Sequence, residues 1–191
     1  MRKRMSHVLA GCLVAGAMLL STASQAQINL LINGDFETGD FTGWTQFGDP
    51  SFSGVDGSNP ESGAFAAFFG PVGDTGGISQ TITTVPGVGY HITFWLESEG
   101  DVNGNSAPNF FEFDWGGVPE LILTDAPANP YTLYTFVLPA TSTSTTLTFT
   151  FRNDPAFWDF DTASVIPEPG SLALVALGGA LVAFVRRRRG A

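Results

Sequence analysis

From Thr145 to Phe151 the chain reads Thr-Thr-Leu-Thr-Phe-Thr-Phe. On an extended backbone Leu147, Phe149 and Phe151 fall on one side, and Thr146, Thr148 and Thr150 on the other. A helix needs apolar residues three and four apart, whereas a strand sends alternate side chains to opposite faces. This segment can therefore hide its apolar residues only within a sheet that has one buried face. The same local pattern recurs over Ile78 to Thr84, Tyr90 to Glu97, Phe111 to Trp115, Leu121 to Thr124 and Tyr131 to Leu138. Gly, Pro, Asn and Asp fall between these runs, where turns require them. No amphipathic helix of useful length appears. Eight to ten short strands in one domain predict an all-β fold, an antiparallel two-sheet sandwich. The threonine- and serine-rich stretch from Thr141 reads as a turn entering the strand, because the alternation begins inside it.

The two ends of the chain follow different rules. Arg2, Lys3 and Arg4 precede an apolar run from Val8 to Leu20, and the small residues Ser24 and Ala26 stand at −3 and −1 of a cleavage before Gln27. This is the layout of a cleaved signal peptide, residues 1–26, with a helical apolar segment. Leu9-Ala10-Gly11-Cys12 spells a lipobox, but Cys12 lies near the start of the apolar run rather than its end, so cleavage after Ala26 is the better reading. At the other end, Pro167-Glu168-Pro169 precedes an apolar run at 171–185 and then Arg186, Arg187, Arg188 and Arg189. The run is short for a transmembrane helix, which needs about 20 residues, but the arginine stems lengthen it by snorkelling. A buried terminal helix is the alternative; the β-rich region before it has no need of one. Four arginines hold their end in the cytoplasm.

The order of these three elements resembles the PEP-CTERM sorting signal of Gram-negative bacteria. The resemblance implies processing near Pro-Glu-Pro by an exosortase and a transient anchor in the inner membrane. Delivery to the cell surface or the extracellular matrix, as in a biofilm, follows. Residues 167–191 are thus expected to be an address, and residues 27–166 the domain delivered.

Once the two addresses are set aside, the charge changes character. Between residues 28 and 166 Arg152 is the only basic residue, facing seventeen Asp and Glu, a net charge of −16. Nothing there can replace the counterions of a phosphate backbone, so nucleic-acid binding is excluded. The one cysteine, Cys12, is lost with the signal, leaving no disulfide and no thiol chemistry. About 140 residues suffice for a single domain with a true core.

Asn29-Leu30-Leu31-Ile32-Asn33-Gly34-Asp35-Phe36-Glu37, followed by Gly39, Phe41, Gly43 and Trp44, resembles the opening strand of jelly-roll, galactose-binding-like carbohydrate-binding modules. Phe160 to Val165 is similar to their closing strand, with Thr162 where a second aspartate is usual. Tyr90 to Leu96 and Leu147 to Asn153 fit central strands. The resemblance implies a jelly roll in which first and last strands adjoin, and a structural Ca²⁺ held by Glu37 and Asp161 with backbone carbonyls completing an oxygen shell. Two adjacent carboxylates need a cation or a proton to offset their repulsion; side chains that simply face solvent are the bland alternative.

Other candidates are weaker. Asp101, Asn103, Asn105, Asn109 and Glu112 have the spacing of an EF-hand loop, but Ser106 stands where glycine is needed and no helices flank it, so a polar turn is the simpler reading. Trp95 shares a strand face with His91, Thr93 and Glu97, opposite Tyr90, Ile92, Phe94 and Leu96. A tryptophan among polar neighbours suits stacking on a sugar ring, although a covering loop would give it a structural role. Glu112 and Asp114, alternating with Phe111, Phe113 and Trp115, are expected to line the same face. Catalysis finds little support: one histidine, no lysine and no cysteine remain, and no hydrolase or phosphate-loop motif is present. With so many acids, no carboxylate pair stands out for glycoside hydrolysis. The expectation is a non-enzymatic, glycan-interacting surface module that meets extracellular polysaccharide, with an adhesive matrix protein lacking a sugar site as the alternative.

Overall fold

A computed structural model describes residues 28–100 and 108–168. The expected signal helix, the expected transmembrane run at 171–185, Pro169, Arg186 to Arg189 and residues 101–107 lie outside the described residues. Among the described residues there are ten strands: β1 (Thr45–Gly48), β2 (Ser53–Asp56), β3 (Ala66–Phe69), β4 (Gly76–Thr83), β5 (Gly89–Ser98), β6 (Asn109–Trp115), β7 (Val118–Thr124), β8 (Asn129–Pro139), β9 (Ser144–Asn153) and β10 (Trp158–Pro167). They form two five-stranded sheets, in the orders β1-β4-β9-β6-β7 and β2-β3-β10-β5-β8. Every pairing is antiparallel. The all-β sandwich is as expected, and each strand read from alternation corresponds to one of β4 to β9.

Alternation determines which face is buried. Leu147, Phe149 and Phe151 of β9, Phe111 and Phe113 of β6, and Ile92, Phe94 and Leu96 of β5 all point between the sheets and are buried. Phe94 lies at the centre, with ring centroids 5.2 Å from Phe149, 5.3 Å from Phe113 and 5.6 Å from Phe160. Phe69 and Phe151 stack across the sheets at 3.9 Å. Aromatic pairs at these separations add to the gain from apolar burial.

Two irregularities matter for function. The opening segment, expected as a strand, is instead a series of turns. Asn33 and Phe36 take positive φ, and Phe36 is folded into the core. It still adjoins the last strand, as Leu30 N–H donates to Val165 O at 2.9 Å and Ala163 N–H to Gly34 O at 2.7 Å. In β10 the register shifts between Asp161 and Ser164, with Thr162 at φ 51°. This bulge exchanges the faces. Trp158 and Phe160 point inward before it, Ala163 and Val165 after it, and Asp159 and Asp161 are left on the outer side.

Candidate ligand-binding face

The outer face of the β10-β5-β8 sheet is built from cross-strand rows. Asp161, Trp95 and Leu133 form one; Ser164, Thr93 and Thr135 the next; Ile166, His91 and Val137 a third. Glu97 lies beside Asp159 in the row above Trp95. Sequence periodicity thus groups His91, Trp95 and Glu97 correctly. It misplaces Glu112 and Asp114: both belong to β6, in the other sheet, and face away from Trp95 on the far side of the sandwich. Alternation along a strand assigns a side but not a sheet. Burial and the neighbouring Asp114 raise the Glu112 carboxyl above the usual range.

The upper part of this face is covered by residues 57–65, the long β2–β3 connection, which crosses β10 as a strap. Asp161 Oδ2 accepts the N–H groups of Glu61 and Ser62, both at 3.1 Å, and its Oδ1 accepts Thr162 N–H at 2.6 Å. Asn59 Nδ2 donates to Asp159 Oδ2 at 2.8 Å, and the Tyr131 hydroxyl donates to Asn59 O at 2.9 Å. Glu37 Oε1 receives Ala64 N–H at 2.7 Å and Phe65 N–H at 3.0 Å. Gly63 lets the strap approach this closely: at φ +71°, an added Cβ would come within 2.2 Å of Glu37 Oε1. Glu37 and Asp161, expected to share an ion, both fasten the same strap through its backbone amides. Among the described residues no group of three or more His, Cys, Asp or Glu is placed to hold a metal ion. Of the EF-hand-like set, residues 101–107 lie outside the described residues; Asn109 has its amide bonded to Ala126 N and O, and Glu112 is in mid-strand.

Strand alternation gives no sign of the strap, although the run Asp56-Gly57-Ser58-Asn59-Pro60 signals a long connection. It gives no sign of Asp159 either. Covered by the strap and facing Glu99, Glu97 and Asp56, the Asp159 carboxyl is pushed up to about 7, chiefly by burial, with Asn59 partly opposing the shift. Burial also raises Asp161, against its three backbone hydrogen bonds.

Below the strap no described residue covers the face. Trp95 is partly exposed at the strap's margin, flanked by exposed Leu133 and, one row on, by Thr93 and Thr135. The indoles of Trp44, Trp115 and Trp158 each donate to a backbone carbonyl, of Asn33, Pro139 and Arg152 respectively. Among the described residues the Trp95 indole makes no such bond. The arrangement is an aromatic surface with a donor unspent among the described residues, a wall on one side and hydroxyls on the other.

Comparison with known proteins agrees at both ends of this picture. A PEP-CTERM protein-sorting motif matches residues 165–189. Such a motif implies export, exosortase processing and a transient C-terminal membrane anchor. The sandwich is similar to the carbohydrate-binding module TmCBM61, solved in complex with β-1,4-galactotriose, at 20% identity and a TM-score of 0.56, covering 74% of this chain and 99% of that one. It also resembles the CBM22-1 xylan-binding domain of Xyn10C from Paenibacillus barcinonensis, at 16% identity and a TM-score of 0.52, covering 76% and 97%. A third likeness is the K1 cleaved adhesin domain of Lys-gingipain from Porphyromonas gingivalis, at 14% identity and a TM-score of 0.51, covering 70% and 96%. At these identities the likeness shows a shared jelly-roll fold. No curated protein sequence matches.

Proposed function

We propose that this is an exported, exosortase-sorted protein of the Gram-negative cell surface or extracellular matrix whose sandwich binds a glycan on the open face around Trp95. The observation that carries the reading is the partly exposed Trp95 beside the strap, with its indole N–H unspent among the described residues. A pyranose presents a C–H face to such a ring, and Thr93, Thr135, His91 and Glu97 are placed to meet its hydroxyls. The galactotriose and xylan ligands in the names of the two modules support the same class of partner. In residues 27–168, Trp95→Ala is expected to abolish retention on a binding polysaccharide while leaving the thermal midpoint within a few degrees of the parent. Undiminished retention of the variant would remove the face from consideration.

The role we infer is binding, without catalysis. Around Trp95, Asp161 and Asp159 are hydrogen-bonded to the strap, which leaves Glu97 as the carboxylate on that face without a strap bond among the described residues, and the Glu112–Asp114 pair lies on the opposite face. The alternative, adhesion without a sugar site, draws on Leu133 and Val137, 48% and 54% exposed on the same face. Failure of every polysaccharide tested, together with loss of matrix retention in a Leu133→Ser, Val137→Ser variant, would favour it.

We also propose a structural Ca²⁺ at the strap, with Glu37 and Asp161 as its side-chain ligands and backbone carbonyls supplying the remaining oxygens. The support is that both carboxylates close on one loop of a strongly acidic domain, and that Glu37 Oε2 accepts no hydrogen bond among the described residues. Millimolar Ca²⁺ is expected to raise the thermal midpoint and EDTA to reverse the gain, as binding to the folded state alone requires. Identical melts in Ca²⁺ and EDTA would refute the ion.

A further inference from the structure

The connections of the sandwich divide sharply by end. At one end run the β1–β2, β3–β4, β5–β6, β7–β8 and β9–β10 connections, which carry Asp49, Asp74, Glu99, Asp125 and Asp154 respectively. At the other end run β4–β5 (84–88), β6–β7 (116–117) and β8–β9 (140–143), and these contain no charged residue. This end presents Val85 and Val118, 39% and 56% exposed, and a recess of about 170 Å³ lined in part by Trp115, Val118, Leu138 and Pro139 with Glu120 at its edge. The acids close to this end are Asp114 and Glu120, towards the sheet of β6 and β7, and Glu168 at the chain's exit.

The tail leaves from the uncharged end. Pro167 is still paired with Tyr90, and Glu168 N–H donates to Gly89 O at 2.9 Å. The apolar side chains begin at Leu172, so three residues, Pro169 to Ser171, lie between Glu168, the last fixed point of the sandwich, and the hydrocarbon, four chain steps in all. Fully extended, they span at most about 14 Å. The headgroup layer alone occupies roughly 5–8 Å of that distance on each side of the bilayer. A domain so tethered has no room to tumble, and one end must stand at the bilayer surface.

We infer that the 84–88, 116–117 and 140–143 loops form a bilayer-facing surface that rests on phospholipid headgroups while the tail is anchored. Val85 and Val118 enter the interface, and the acidic end is held away from anionic lipid. The inference rests on the tail being a membrane anchor. It makes the arrangement directional: the Trp95 face stands upright beside the membrane, and the strap end points outward. Ten-residue strands at about 3.3 Å per residue place the acidic end on the order of 30 Å above the surface.

The test uses residues 27–191, the chain left after signal removal and free of cysteine, carrying either Val118→Cys or Asp74→Cys, each labelled with an environment-sensitive fluorophore and reconstituted into phosphatidylglycerol-containing vesicles. Flotation with the vesicles reports the anchor; quenching by headgroup-labelled lipid reports the orientation. The expected result is flotation of both, with most fluorescence lost at position 118 and nearly all retained at position 74. Flotation with equal quenching at both positions overturns the bilayer-facing surface while leaving the anchor standing. Absence of flotation overturns the anchor and the inference with it.

Discussion

In EDTA, raising the pH from about 4 to 7 is expected to lower the thermal midpoint of the domain progressively, and Asp159→Asn to remove most of that loss. The folded state holds the Asp159 carboxyl at about 7, whereas an unfolded chain returns it to its ordinary value near 3.8. Between those values the folded state binds the extra proton, so stability falls as pH rises and levels off above about 7. Three pH units at 1.36 kcal/mol each give an upper bound of about 4 kcal/mol, of which burial by the strap is the main source. Burial raises Glu99 and Asp161 as well, and both act in the same direction.

The neighbouring Glu97 adds to the effect of burial on Glu99. The exposed turn acids Asp40 and Asp49 work the other way, because hydrogen bonds from Thr42 and from Ser51 hold them below the usual range. Their contribution is lost below about pH 4, so the stability maximum falls in mild acid. A melting series in the parent and in Asp159→Asn checks the sign directly: a parent that gains stability between pH 5 and 7 contradicts the assignment.

Phe94→Ala is expected to cost about 3–5 kcal/mol, the range for deleting a buried aromatic ring. Phe94 has no exposed surface, and its ring meets Phe111, Phe113 and Phe149 from one sheet and Tyr134, Phe136 and Phe160 from its own. These rings also pack on one another, which limits how far they can close the space, so the cavity term is expected to persist. Chemical denaturation should show a lower midpoint with an unchanged slope. A loss below about 1 kcal/mol would mean that the core relaxes around the gap, and that the packing is looser than this geometry requires.

The fold is legible wherever one face of a strand is buried and the other wet. The Leu147, Phe149, Phe151 alternation marks β9 without ambiguity, and Tyr90 to Leu96 marks β5. The short strands β1, β2 and β3 carry no such signal, since four residues are too few to establish a period. Asp159 and Asp161 are obscured by the same rule, because an outward-facing acid on a strand ordinarily reads as solvated. Here a loop from a hundred residues earlier covers them, and no local pattern reports that contact. Periodicity likewise places Trp95 on a polar face correctly. It joins Glu112 and Asp114 to that face because only strand pairing decides which sheet a strand enters.

Pro167 ends β10, and Glu168, held to Gly89 just beyond it, belongs with Pro167 to the Pro-Glu-Pro of the sorting motif. An enzyme that takes up Pro167-Glu168-Pro169 in extended form needs the strand to release them from Tyr90 and Gly89. The same residues thus serve two competing registers, one in the sandwich and one in a processing cleft. Both uses cannot be met at once, so any processing at the motif would draw on the frayed form of this corner.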